Sequence, residues 1–305
     1  MRAVLLWCAS NPWLATHVPR WRFVKRALRR FMPGEEFASA LASAVEFRSR
    51  GIEAIFTRLG ENVKDLAEAG DVVEHYEAVL QQARDAGVDA EISVKPTQLG
   101  LDIDPEAALA NLNRLARAAA HAKSFMWIDM EGSAYTDATI DLYTKVRAHH
   151  RETGLALQAY LHRTAADLGR LMPDGVAVRL VKGAYAEPPD KAFQAKREVD
   201  SNYLALCTLM LPEVKRGKVR LVLGTHDVEL VHRVADLGAA IGVGKAQIEV
   251  AMLYGIRTGE LVKLAADGHP CRDLIAYGHA WYPWYVRRLA ERPANVWFVA
   301  RQLLP

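Results

Sequence analysis

Lys95, Asp129, Arg179, Lys182 and the triplet Thr225-His226-Asp227 each stand inside, or directly after, a short apolar run. Their settings read SVKPTQLG, WIDME, RLVKGAY and LGTHD. Glu61 in LGENV, Gln158 and Tyr160 in LQAY, Glu249 in AQIEV and the adjacent Arg287 and Arg288 extend the set. One charge at the end of an apolar run is usually a solvated strand end. A recurring series is different, because burying an ionised group is costly unless it is paired or used. Lys95, Arg179, Lys182, Arg287 and Arg288 outnumber Glu61, Asp129 and Glu249, so the set suits an anionic ligand such as a carboxylate or pyrophosphate. Arg287 and Arg288 lie about 100° apart on a helix, so one can clamp a carboxylate while the other reaches a neighbouring group. His226 and Asp227 are joined by no HxH, HExxH or Cys pair, and metal chemistry is not expected. Lys95 and Lys182 leave Schiff-base chemistry open.

The elements that must position these residues alternate along the chain. Apolar runs at Ala54–Arg58, Ala90–Val94, Phe125–Asp129, Leu155–Tyr160, Val176–Val181, Val219–Gly224, Ala246–Val250 and Cys271–Tyr277 are each followed by a helical segment. Several are continuous and not alternating, as in strands buried on both faces. Asp104-Pro105, Thr136-Asp137, Thr164 and Asp227 open helices. GAAIGVG at Gly238–Gly244 does not fit GxGxxG, so a dinucleotide fold is disfavoured. The expected class is α/β, a single (β/α)₈ barrel of the TIM type whose chemistry lies at the C-terminal strand ends. Residues 1–50 are predicted as a helical arm and 51–305 as the catalytic barrel with a C-terminal helix. Within the arm, helices are predicted over Trp21–Phe31 and, after Pro33-Gly34, over Glu36–Arg50.

Composition sets limits. The chain has 305 residues, 51% apolar and 25% charged, with a net charge of +3, which suits one globular core. No Lys/Arg run suggests nucleic acid. Cys8, Cys207 and Cys271 are too few and too far apart for a disulfide framework, so reduced thiols in a cytoplasmic protein are expected. The apolar N-terminal stretch is broken by Asn11 and Pro12 and followed by its positive charges, so it reads as neither signal peptide nor spanning helix. Arg22, Lys25, Arg26, Arg29 and Arg30 surround Phe23, Val24, Leu28 and Phe31, a pattern that suits a peripheral membrane helix.

At RLVKGAYAEP, Arg179 to Pro188, the sequence resembles the proline dehydrogenase family, in particular its bacterial monofunctional members. LGENV, VKPTQLG, WIDME, QAYLHRT, LGTHD, MLYGI and WYPWYVRRLAERPAN recur in the family's order from Leu59 to Asn295. The resemblance implies FAD at the barrel mouth, oxidation of L-proline to 1-pyrroline-5-carboxylate, and a membrane quinone as electron acceptor. It implies that Arg287, Arg288 and Lys95 hold the substrate carboxylate and that Arg179 donates a hydrogen bond near flavin N5. Asp129 and Tyr185 would shape the reaction pocket, with Leu180, Ala184, Leu253, Tyr277 and Trp284 against the substrate. Gln158, Met130, Val181, Lys182, Gly183, Thr225 and His226 would line the cofactor, together with Asp129, Ala184 and Arg288. Glu61 would pair with Arg287 as a gate.

The chain departs from the family pattern at three places. Tyr-x-Pro-Tyr-Gly after the eighth strand is here Leu274, Ala276, Tyr277 and Gly278. A common Gln near the seventh strand is Ala251, and the aromatic three residues before the arginine pair is Trp284 where proline-specific members have Tyr. Trp284 would fill the space a 4-hydroxyl group needs, so proline, or another cyclic amino acid lacking that group, is the expected substrate.

Overall fold

The computed structural model describes residues 30–282 and 284–286, together with Asn11, His17 and Leu28. Its eight apolar runs form parallel strands. These are β1 (Ile52–Arg58), β2 (Ala90–Val94), β3 (Met126–Ile128), β4 (Thr153–Gln158), β5 (Val176–Val181), β6 (Val219–Gly224), β7 (Ile248–Leu253) and β8 (Cys271–Tyr277). Each pairs with the next, and β8 closes on β1 with Ile52 opposite Cys271 and Arg58 opposite Tyr277. The expected (β/α)₈ barrel is the observed fold.

Helices α1 (Phe37–Arg48), α2 (Leu66–Asp85), α3 (Pro105–His121), α4 (Thr136–Arg147), α5 (Thr164–Leu171), α6 (Lys196–Lys215), α7 (Val228–Ala240) and α8 (Thr258–Ala266) surround it. Their starts follow the local chemistry. Asp65 accepts a hydrogen bond from the Glu68 amide at 2.8 Å, and Asp104 caps α3 from the residue before Pro105. Such caps satisfy amides that have no partner within the helix and contribute about 1 kcal/mol each.

β7 does not run where the apolar pattern put it. Lys245–Gln247 form a 3₁₀ turn, and the Gln247 side chain accepts from the Gly244 amide at 3.0 Å, so the strand starts at Ile248 and extends to Leu253. Glu249 is therefore the second residue of β7, near the N-terminal end of the barrel, and not part of the catalytic end where the sequence pattern had placed it.

Strand alternation divides the core in two. Ile55, Trp127, Ala177, Val222 and Ala251 cluster inside the barrel, with Phe125 and Leu274 against them. The opposite strand faces pack against the helices in the main core, where Phe37 of α1 meets Phe56 edge-on at 4.9 Å between ring centres. Burying a side chain of that size contributes about 1.5–3 kcal/mol.

The segment before α1 is built onto the barrel mouth. Leu28, Phe31 and Met32 are buried in a cluster with Leu59, Ala276, Trp281, Trp284 and Tyr285. Gly255, at φ +72°, lies so close to the Arg30 carbonyl that an added Cβ would come within 1.6 Å of that oxygen. Leu28 and Phe31, expected on a membrane-facing surface, are instead buried against protein, because the barrel offers them an apolar seat. The remainder of the predicted interfacial helix, 21–27 and 29, lies outside the described residues, as do Cys8, Arg287 and Arg288. Among the described residues no helix is long and apolar enough to cross a membrane.

Candidate active site

Ser93 and Lys95 lie two residues apart at the end of β2 and so point to the same side, into the barrel. Asp129 follows β3, its amide held by the Val94 carbonyl at 2.8 Å. Lys95 Nζ donates to Asp129 Oδ2 at 3.1 Å, and Ser93 Oγ donates to Oδ1 at 2.8 Å. Arg179 Nη2, from β5, donates to Ser93 Oγ at 2.9 Å and also to Asp129. One carboxylate thus faces two cations.

The electrostatics follow. Burial alone pushes the Asp129 carboxyl upward, but Lys95 and Arg179 outweigh it and hold the group below its ordinary range. Burial pulls the Lys95 ammonium down, but Asp129, Glu61 and Tyr185 outweigh that and raise it. The site keeps surplus positive charge and open donors. Arg179 is 3% exposed, yet its Nε and Nη1 have no hydrogen-bond partner among the described residues. Buried polar atoms left this way cost about 1–3 kcal/mol each, so the fold maintains them for a ligand or at a loss.

The neighbouring backbone is tightly packed. Gln158 donates to the Met130 carbonyl at 3.2 Å, and its own buried Oε1 has no partner among the described residues. At Gly183, φ +116°, an added Cβ would lie 2.3 Å from the Tyr160 ring. At Gly224 it would lie 2.7 Å from Val181 Cγ1 and 3.4 Å from Arg179 Cγ. Glycine at both positions is required by the protein's own packing, because the Tyr160 ring and Val181 already fill the space a Cβ would need. Buried Thr225 follows Gly224, its hydroxyl accepting from the Asp227 amide at 3.1 Å.

Lys182 does not add free positive charge, contrary to the expectation from its strand end. Its Nζ bonds Asp200 at 2.5 Å and Asp227 at 2.9 Å. Glu131 joins three loops: it accepts from the Thr97 amide and hydroxyl at 3.1 and 2.7 Å, while the Asn62 amide donates to that hydroxyl at 3.3 Å. Burial pushes the Glu131 carboxyl up to about 7. Glu61, next to Asn62, lies within electrostatic reach of Lys95 and Glu131.

Two expected substrate contacts point elsewhere. Leu180 sits between the inward residues Arg179 and Val181, so it faces the helices and is buried in the main core. Tyr277 faces outward too, bonded to His75 of α2 at 2.8 Å and packed on Phe37. Trp284 is buried in the cluster that holds Ala276, and Leu253 packs against the edge of that cluster. Ser93 escaped the sequence reading although its two-residue spacing from Lys95 marks it. Asp200, on α6, carries no local signal at all.

Comparison with known proteins is consistent across methods. Residues 40–301 match the sequence family described as proline dehydrogenase. Proline dehydrogenase 1 of Bacillus subtilis subsp. natto is 32% identical over 304 residues, spanning 100% of this chain and 99% of that protein. Proline dehydrogenase of Deinococcus radiodurans is 32% identical over 282 residues, spanning 90% and 89%. Among solved structures, proline utilization A from Bdellovibrio bacteriovorus, inactivated by N-propargylglycine, superposes with a TM-score of 0.81 at 22% identity. That match covers 95% of this chain and 36% of the other, so the chain spans about a third of that protein, and the likeness is one of fold.

Proposed function

The chain belongs to the proline dehydrogenase family of oxidoreductases, and from that premise we propose that it oxidises L-proline to 1-pyrroline-5-carboxylate with FAD as its cofactor. The observation that carries this reading is the pair of donors on buried Arg179, Nε and Nη1, that have no partner among the described residues. Such donors fit an electron-accepting ring with hydrogen-bond acceptors at its edge. Gln158, Arg179, Val181, Lys182, Gly183, Ala184, Thr225 and His226 would hold it, with Asp129, Met130 and Arg288. Bound FAD supplies a hydride acceptor and a route for the electrons onward to a quinone.

The remaining steps belong to the protein. Lys95, protonated beside Asp129, binds the substrate carboxylate, with Arg287 and Arg288 completing the clamp. Fixing the carboxylate orients the carbon beside the ring nitrogen, and orientation of this kind is a large part of catalysis. Asp129 holds Lys95 and Arg179 in place and balances part of their charge, and Tyr185 closes on the same pocket. Glu61 pairs with Arg287 to shut it against water. In the cell the enzyme would work in the cytoplasm, passing electrons to quinone at the membrane surface.

A lyase using a Schiff-base lysine is disfavoured, because pairing keeps Lys95 protonated and so a poor nucleophile. Incubation with L-proline and a soluble quinone tests the proposal, following the cyclic imine product. Product formed in proportion to quinone reduced supports it, and borohydride-trappable enzyme without quinone reduction would replace it with the lyase.

A further inference from the structure

Trp127, the middle residue of β3, occupies the barrel interior between two arginines. The Arg179 guanidinium lies 5.4 Å from its ring centre and the Arg220 guanidinium 5.2 Å. Arg179 is the fourth residue of β5, towards the catalytic end, and Arg220 is the second of β6, towards the other. An indole offers the strongest of the aromatic faces to a cation, and both distances fall inside the roughly 6 Å reach of that attraction.

The ring itself is fixed. Trp127 Nε1 donates to buried Glu91 at 2.6 Å, and Arg220 bonds the other oxygen of Glu91 at 2.6 Å. Arg220 also grips Glu249 through Nε at 2.6 Å and Nη2 at 2.7 Å. Gly154 of β4 makes room, since an added Cβ would lie 2.5 Å from the indole. A chain of contacts therefore runs from an ionic layer at the closed end, through one aromatic ring, to the guanidinium whose Nε and Nη1 remain open.

We infer that Trp127 is a positioning residue for Arg179, holding the guanidinium so that its open donors face the ligand. Among the described residues only Nη2 of Arg179 is hydrogen-bonded, to both Ser93 and Asp129. Those bonds anchor one corner of the group, and the indole face, 5.4 Å away, supports the guanidinium from a second direction. Arg220 and Glu91 act at one further remove, by fixing the ring. The inference rests on the proposed function, in which Arg179 meets the electron-accepting edge of the flavin.

The test is a double-mutant cycle on the FAD-loaded enzyme, read as flavin midpoint potential and as kcat and KM for L-proline. Trp127→Leu is expected to lower kcat about tenfold with KM for proline within about twofold of the unmodified value. It should also lower the midpoint potential by about 30 mV, the equivalent of tenfold for a two-electron couple. In an Arg179→Met background the same change should move neither quantity further, because the ring then has no guanidinium to hold. Trp127→Phe, which keeps a ring and is the better tolerated change, should fall between the unmodified enzyme and Trp127→Leu. Effects that add in full in the Arg179→Met background, or a potential that Trp127→Leu and Trp127→Phe leave unmoved, overturn the inference while leaving the proposed function standing. An unmodified protein that takes up no FAD overturns both.

Discussion

The two ends of the barrel carry similar residues and use them differently. At the mouth, Lys95, Asp129, Ser93 and Arg179 form a cluster with one carboxylate for two cations and two open guanidinium nitrogens. At the closed end, Arg220 and Arg272 meet Glu91 and Glu249, with Arg272 3.3 Å from Glu91 and 3.7 Å from Glu249. There three carboxylates, Asp89, Glu91 and Glu249, face the two arginines, and Arg220 commits both Nε and Nη2. Charge inside a barrel strand is thus no mark of a site. What sets the mouth apart is its surplus of cations over carboxylate, with two nitrogens of one buried guanidinium unpartnered among the described residues against a single one, Arg272 Nη1, at the closed end.

The largest expected effect tests the mouth. Arg179→Met should lower kcat/KM for L-proline by about 10²–10³, the scale of losing a donor aimed at developing charge. Its unfolding free energy in urea should hardly change, because the change also removes two unsatisfied buried donors. The mirror experiment is Arg220→Met, which takes from Glu91 and Glu249 the nearer of their two cations and should cost about 3 kcal/mol of stability. That figure is at the low end for buried pairs, since Arg220 is 26% exposed. KM for proline should stay within about twofold. Were Arg220→Met to raise KM sharply while keeping full stability, the contrast between the ends would be lost.

A smaller effect concerns the apolar cap. With Trp284 buried in the cluster that holds Ala276, and Leu253 packed against its edge, kcat/KM for trans-4-hydroxy-L-proline should be about tenfold below that for L-proline. Trp284→Ser should narrow the gap, and equal rates in the unmodified enzyme would remove this residue from the pocket.

A further contrast separates two neighbouring carboxylates. Asp129 is held ionised by its cations, whereas burial raises Glu131 to about 7. A raised carboxyl binds a proton in the folded state that it has lost in the unfolded one. Stability from this group is therefore complete below the unfolded value near 4.5 and declines as pH rises to about 7, by at most about 1.4 kcal/mol per unit. Urea unfolding at pH 5 and 7.5 should show Glu131→Gln with a flatter dependence than the unmodified chain. Parallel curves would mean that the carboxyl is ionised throughout.

Much of this was legible in the residues. β2, β5, β6 and β8 run over the residues marked by their apolar pattern, because a strand covered on both faces must be apolar throughout. Lys95, Asp129 and Arg179 were visible because each interrupts such a run. β7 was misplaced because Ala246 reads as strand while the Gly244 amide commits the chain to a turn. Leu180 and Tyr277 were put in the pocket by likeness, whereas alternation from Arg179 and from Ala276 sends both outward. The ionic layer was not legible, since Glu249 and Arg220 look in sequence like any charge inside a strand, and only the curled sheet brings Glu91 of β2 to Arg220 of β6.

The most direct test of the account is the visible absorbance of the purified, FAD-loaded protein during anaerobic addition of L-proline. The account predicts that the flavin band bleaches with proline, saturably, and returns when a quinone is added. A protein that binds no FAD, or whose flavin band is unchanged by proline at any concentration, would contradict it.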